Sequence, residues 1–143
     1  MNSIDQQDCI ATATQFFWHL DHNRYPELMA LMTPDAVWFR QGLELTPGDE
    51  MLATLQRRSP TRRVVHLLSN LTVWSSVEGH ARVTGYLTSY AHDPGVPING
   101  PAPLGGPGSI LALDIEMKRQ DDRWFVDRSR THPLFRRETS TEA

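Results

Sequence analysis

The sequence has a single cysteine, Cys9, in 143 residues, which excludes an internal disulfide framework and any multi-cysteine zinc or iron–sulfur site. Positive charge is not in excess either: 14 Lys and Arg stand against 17 Asp and Glu, a net charge of −3. Without a broad positive field to gather phosphates, nucleic acid is not an expected partner. No apolar run approaches the roughly 20 residues needed to cross a bilayer. The opening MNSIDQQD carries acidic and amide groups where a secretory signal would have a basic segment and then an apolar one. These absences predict a cytoplasmic protein with no membrane partner. There is no nucleophile elbow, phosphate loop or dinucleotide fingerprint, so no cofactor is implied. What remains, a chain with 39% hydrophobic residues, is long enough for one domain with a core and a pocket and too short for two. The expected domain is 1–137, with a frayed polar tail over 138–143.

Ser3, with Gln6 three residues on and Asp5 and Asp8 in the first turn, has the form of a capping box. Ile10, Ala13, Phe17 and Leu20 then recur at helical spacing, which predicts a helix over 4–20. Asp21, His22, Asn23 and Arg24 interrupt it, and Leu28, Leu31 and Met32 restart a helical pattern that Thr33-Pro34 closes. Ala36 to Phe39 has the composition of a short strand, and Thr46-Pro47-Gly48-Asp49 reads as the cap and first turn of a third helix. From Arg62 the period becomes two, predicting antiparallel strands over 62–75, 80–92, 109–118 and 123–132. Val77-Glu78-Gly79 and Gln120-Asp121-Asp122 are hairpin turns by composition. Residues 93–108 hold five of the ten prolines and five of the nine glycines, so this stretch is irregular, either a lid over a cavity or a surface excursion.

The first long strand is apolar on both faces: Val64, His66, Leu68, Asn70, Thr72 and Trp74 alternate with Val65, Leu67, Ser69, Leu71 and Val73. One face packs on the helices, so the second needs another cover, and a homodimer through the outer sheet face is the economical one. The face holding His66 is expected to include Asn70, Thr84, Tyr86, Tyr90 and His92. Such a mixture of polar and aromatic groups lines pockets for a small apolar or aromatic molecule.

Three segments carry a resemblance to a known family. The first is Phe16-Phe17-Trp18-His19-Leu20-Asp21 with Tyr25, Glu27 and Leu28, followed by Met32-Thr33-Pro34-Asp35-Ala36-Val37-Trp38. The second is Val65-His66-Leu67-Leu68-Ser69-Asn70 and the third Arg123-Trp124-Phe125-Val126-Asp127-Arg128. Together they resemble the SnoaL-like branch of the nuclear-transport-factor-two-like superfamily. The resemblance implies an α+β fold, a cone-shaped, curved, mostly antiparallel (mixed) sheet closed by three N-terminal helices around an internal pocket. It does not imply one function, because the superfamily hosts isomerases, dehydratases, epoxide hydrolases, cyclases, dioxygenase β subunits and noncatalytic binders.

Dehydratases of this superfamily use an Asp at the first helical turn and a His on the first long strand, which correspond to Asp21 and His66. An arginine of the last strand takes part in one of them, and Arg128 is the nearest match, with Arg130 on its face. The resemblance thus implies Asp21, His66 and Arg128 as catalytic residues; the expected substrate-binding residues are Phe17, Tyr25, Trp38 and Trp124 together with Asn70, Tyr86, Tyr90 and His92 from the strand faces. Scytalone dehydratase has a tyrosine where this chain has Leu20, and its second histidine aligns only near His92. Chemically, a carboxylate bonded to one imidazole nitrogen fixes the tautomer and leaves the other nitrogen as a base. Such a base removes a proton α to a carbonyl, and the enolate then needs a donor, for which Tyr86, Tyr90, Asn70 and Arg128 are candidates.

Each of these residues also has a purely structural reading. Asp21 can cap a helix-terminus turn, His66 can be a hydrogen-bonded core histidine, and Arg128 can form an edge ion pair. His19 and His22 flank Asp21, but a helix spreads such residues apart, so no metal site is expected. Arg57, Arg58, Arg62 and Arg63 read as a solvated turn. The expected function is a cofactor-independent dehydratase or isomerase of a small oxygenated ring compound; the alternative is a noncatalytic hydrophobic-ligand binder or assembly subunit.

Overall fold

A computed structural model describes residues 1–138. The first helix, α1 (Ser3–Asp21), buries Cys9, Thr12, Ala13, Phe16, Phe17 and Leu20 along one face. Its cap is Asn2 rather than Ser3: the Asn2 side chain accepts the Asp5 N–H at 2.8 Å. After Asp21 the chain reverses at Asn23, which takes φ +57°, and α2 (Tyr25–Met29) follows with Pro26 in its first turn. This helix stops earlier than its pattern predicts. The reason is tertiary: the Val126 N–H donates to Leu31 O at 2.8 Å and Met32 pairs with Val126, which draws the chain into strand β1 (Met32–Arg40). A short β2 (Leu43–Leu45) turns back on it, and α3 (Asp49–Gln56) is capped by Gly48 without a side-chain bond, so Thr46 does not serve as the cap.

The remaining strands are β3 (Arg63–Trp74), β4 (His80–His92), β5 (Ser109–Gln120) and β6 (Arg123–Arg136). The six strands form one sheet in the order β2-β1-β6-β5-β4-β3, antiparallel throughout except for β1 beside β6. The fold is therefore α+β, with three helices and a six-stranded mixed sheet. Asp121 and Asp122, both at positive φ, make the tight turn between β5 and β6. Residues 93–108 have no regular structure and are mostly exposed. They are fastened at several points: Thr61 Oγ1 donates to Asp93 Oδ1 at 2.6 Å, Arg63 Nη1 to Gly100 O at 3.0 Å and the Gly108 N–H to Ser89 O at 2.8 Å. The frayed tail expected from 138 lies, from residue 139 on, outside the described residues.

One irregularity decides which side chains share a face. Ser69 pairs with Tyr86 and Thr72 with Thr84, so Asn70 and Leu71 together oppose Gly85 in a β-bulge with Asn70 at φ +55°. A Cβ on Gly85 would meet Ser69 O at 2.7 Å and Leu71 Cδ2 at 2.6 Å, so the bulge requires glycine there. The extra residue switches the parity of β3. Val64, His66 and Leu68 turn toward the helices before the bulge, and Leu71 and Val73 after it.

Candidate active site

Asp21 is the last residue of α1, and that helix end is held in place by Arg58, whose Nη1 donates to Leu20 O at 2.8 Å. A guanidinium at a helix C-terminus satisfies a carbonyl that the helix leaves free and complements its dipole. His66 lies on β3, the edge strand, so its N–H points away from β4 and meets Asp21 Oδ2 at 2.8 Å. The other carboxylate oxygen, Oδ1, accepts from His66 Nδ1 at 2.5 Å. A carboxylate can only accept here, so the ring proton belongs on Nδ1 and Nε2 is left as the ring's second polar atom. The side chains of His66 and Asp21 are only 2% and 9% exposed, and a hydrogen-bonded carboxylate in such surroundings is far less screened than at the surface. The Phe17 ring packs 5.3 Å from the imidazole, centroid to centroid. Along the exposed edge of β3 beside α1 lies a hollow of ≈ 500 Å³, lined by Thr14, Trp18, Asp21 and His22 and by residues 63–68 of β3, so that outward-facing Val65 and Leu67 border it as well as His66.

The other expected site residues divide sharply. Trp38 is buried edge-on against Phe16, ring centroids 4.9 Å apart, and belongs to the core. Tyr25 is buried too, with its hydroxyl donating to Asn23 Oδ1 at 3.0 Å and accepting from Arg58 at 3.2 Å, so it braces the turn after α1. Trp124 sits at the far end of α1, where its Nε1 donates to Asp5 Oδ1 at 3.0 Å.

Four expectations are corrected by the register of β3 on β4. His66 lies opposite Ser89, whereas Tyr90 lies opposite Val65, Tyr86 opposite Ser69 and His92 opposite Arg63. Opposed residues share a face, so these three side chains lie on the surface turned away from His66. Asn70, exposed in the bulge, does not join His66 either. Arg128 is the fifth correction: opposite Glu116 on the outer face, its Nε lies 3.5 Å from Glu116 Oε2 and its guanidinium covers Phe39. Its sequence position on the last strand matched, but the side-chain parity did not.

Two polar groups that do share the inner face with His66 were not among the expected site residues. His66 pairs with Ser89, and Ser89 with Ser109, so the three stand in one row across β3, β4 and β5. The serines are 3% and 2% exposed, and their hydroxyls are 2.7 Å apart. The available signal was the parity of β4, which puts Ser89 with the apolar Val83 and Leu87. Away from this row, burial and the nearby Asp5 and Asp8 push the Cys9 thiol up to about 12, which keeps it protonated and unreactive. Hydrogen bonds from Thr61, Ser59 and the Gly95 N–H hold the exposed Asp93 carboxyl below the usual carboxylate range. Among the described residues, no cluster of three or more His, Cys, Asp or Glu is arranged to hold a metal, and no helix is long and apolar enough to cross a membrane.

No curated protein matches the sequence significantly. Solved structures do match. A proposed scytalone dehydratase from Novosphingobium aromaticivorans is 17% identical with a TM-score of 0.78, covering 98% of this chain and 91% of that one. A Catenulispora acidiphila protein in complex with S-DNPA is 13% identical, with a TM-score of 0.72 over 92% of this chain and 95% of its own. A proposed aromatic ring hydroxylase from Novosphingobium aromaticivorans is 15% identical, with a TM-score of 0.71 over 94% and 92%. At such identities the likeness shows a shared fold. The family model for the SnoaL-like domain matches residues 3–130, nearly the whole chain, and the protein therefore belongs to the SnoaL-like domain family.

Proposed function

We propose that this SnoaL-like protein is a cofactor-independent dehydratase or isomerase of a small oxygenated ring compound, with Asp21 orienting His66 as general base. The observation that carries the reading is the double grip of one carboxylate on the backbone and ring N–H groups of His66, at 2.8 and 2.5 Å, beside a hollow of ≈ 500 Å³. Nε2 takes a proton α to the substrate carbonyl, and the C–H electron pair moves into an enolate. In a dehydration the enolate expels a β-hydroxyl, which leaves as water with the proton from Nε2. In an isomerisation that proton returns to another carbon. Both steps balance without an oxidant or reductant. A structural relative holds the small aromatic ligand S-DNPA, which supports a ligand of that size and character.

A general base in a hollow can be probed before the natural substrate is known. The probe is 5-nitrobenzisoxazole, which eliminates to a phenolate when a base removes its ring proton. The wild type is expected to accelerate this elimination, with His66→Ala losing the acceleration and Asp21→Asn losing on the order of a hundredfold. Equal rates in wild type and His66→Ala would overturn the reading.

We infer further that a second copy of the chain covers the outer face at β3 and β4. Val65, Leu67 and Tyr86 are 44%, 49% and 43% exposed there, a concentration of apolar surface that symmetric pairing removes from water. Sedimentation is expected to give a dimer that Leu67→Glu converts to monomer. A monomeric wild type would overturn the inference.

A further inference from the structure

We propose that the Ser89–Ser109 hydroxyl pair receives the ligand's oxygen, taking the carbonyl, enolate or phenolate oxygen of a cyclic compound whose reacting carbon lies at His66. This rests on the general-base reading above and supplies the donor that such a base requires. The groups first expected to donate, Tyr86, Tyr90 and Arg128, occupy the opposite surface of the sheet.

The row geometry is the first support. Ser89 faces His66 across one strand spacing and Ser109 across two, about 5 and 10 Å from backbone to backbone, which matches the span of a one- or two-ring molecule. The count of hydroxyl protons is the second. The two hydroxyls carry two protons, and their mutual bond at 2.7 Å uses one. Among the described residues neither hydroxyl makes another hydrogen bond through its side chain, so one buried donor is left over. Leaving such a group unsatisfied is costly unless something accepts from it, and a ligand oxygen is such an acceptor. Third, each end of the row borders a separate hollow. His66 lines the one of ≈ 500 Å³ at the edge of β3, Ser109 lines another of ≈ 200 Å³ formed with Gly108, Ile110 and Arg136, and Ser89 lines neither.

The elimination of 5-nitrobenzisoxazole tests this directly. Nε2 takes the ring C–H proton, that electron pair forms the nitrile, and the N–O bond breaks with its pair left on oxygen as a phenolate. The hydroxyl pair would stabilise that developing charge. Replacing both serines by alanine removes donor and acceptor together from an apolar setting, a change that proteins tolerate well. Ser89→Ala/Ser109→Ala is expected to keep the fold, judged by its melting curve, and to lose about a hundredfold in kcat with little change in KM. Ser109→Thr, which keeps the hydroxyl, is expected to retain most of the rate, and Tyr86→Phe all of it. Full activity in the double alanine variant, with His66→Ala inactive, would overturn the donor assignment and leave the base intact. Should the wild type not turn over the probe, the base reading fails, and binding decides the donors alone. A preference for 4-nitrophenolate over nitrobenzene that the double variant abolishes supports them, and equal affinity for the two compounds overturns them.

Discussion

The two faces of the sheet put their polar groups to different uses. On the inner face polar side chains are few and buried, and those around His66 are tied to one another: Asp21 to His66, Ser89 to Ser109. On the outer face they are many, exposed and ionic. Arg82 bonds Asp114 at 2.6 and 2.8 Å, Lys118 lies 3.4 Å from Asp127, and Arg128 lies 3.5 Å from Glu116. Water and salt screen the outer pairs, so they hold the surface together only weakly. The inner groups lie where screening is poor, where a fixed dipole or an oriented imidazole does the most chemistry. Charge alone is therefore a poor guide to the candidate site, since the most charged surface lies opposite His66 and the serine pair.

The contrast has measurable consequences. Leu113→Ala on the inner face, where the side chain is 2% exposed, is expected to cost about 2–5 kcal/mol in urea unfolding. Leu67→Ala on the outer face, at 49% exposure, should cost under about 1 kcal/mol in the monomer. Equal losses would erase the distinction between the faces. Gly85→Ala is expected to be intermediate, about 1–3 kcal/mol, because the added methyl would strike Ser69 O and Leu71 at the bulge. Arg128→Ala should leave elimination of 5-nitrobenzisoxazole within about twofold of wild type, since surface ion pairs contribute little. A large loss of rate would bring the last strand's arginine back into the chemistry. The smallest effect belongs to the fastening of residues 93–108. Asp93 has its carboxyl depressed, so its contribution is present above the ordinary carboxylate value and is lost only as pH falls through a lower folded value. Proteolysis within 93–108 should therefore be unchanged from pH 7 to pH 5 and rise only in stronger acid, with Thr61→Val raising it at both.

These same faces mark what the amino-acid pattern could and could not reveal. The long strands and their hairpins were legible because period-two alternation and the Asp121-Asp122 turn act locally. The pairing of Asp21 with His66 was legible through the family resemblance, and its geometry follows from the edge position of β3, which leaves a backbone N–H for a side chain to take. The register of β3 on β4 was not legible. Both faces of β3 are apolar, so a one-residue slip changes little in the pattern yet moves every partner to the other surface. The Asn70 bulge then reverses parity within the strand, and its signal, Gly85, sits on a different strand. Ser89 and Ser109 escaped notice for a related reason: a serine on a buried strand looks like filler until its neighbours across the sheet are known.

The proposed base depends on the orientation of the His66 ring, which nitrogen-15 NMR of the imidazole reads directly. A proton fixed on Nδ1 in the wild type, protected from exchange by its bond to Asp21, is expected, with loss of that fixed tautomer in Asp21→Asn. A proton residing on Nε2 in the wild type, or a spectrum that Asp21→Asn leaves unaltered, would contradict the proposed base.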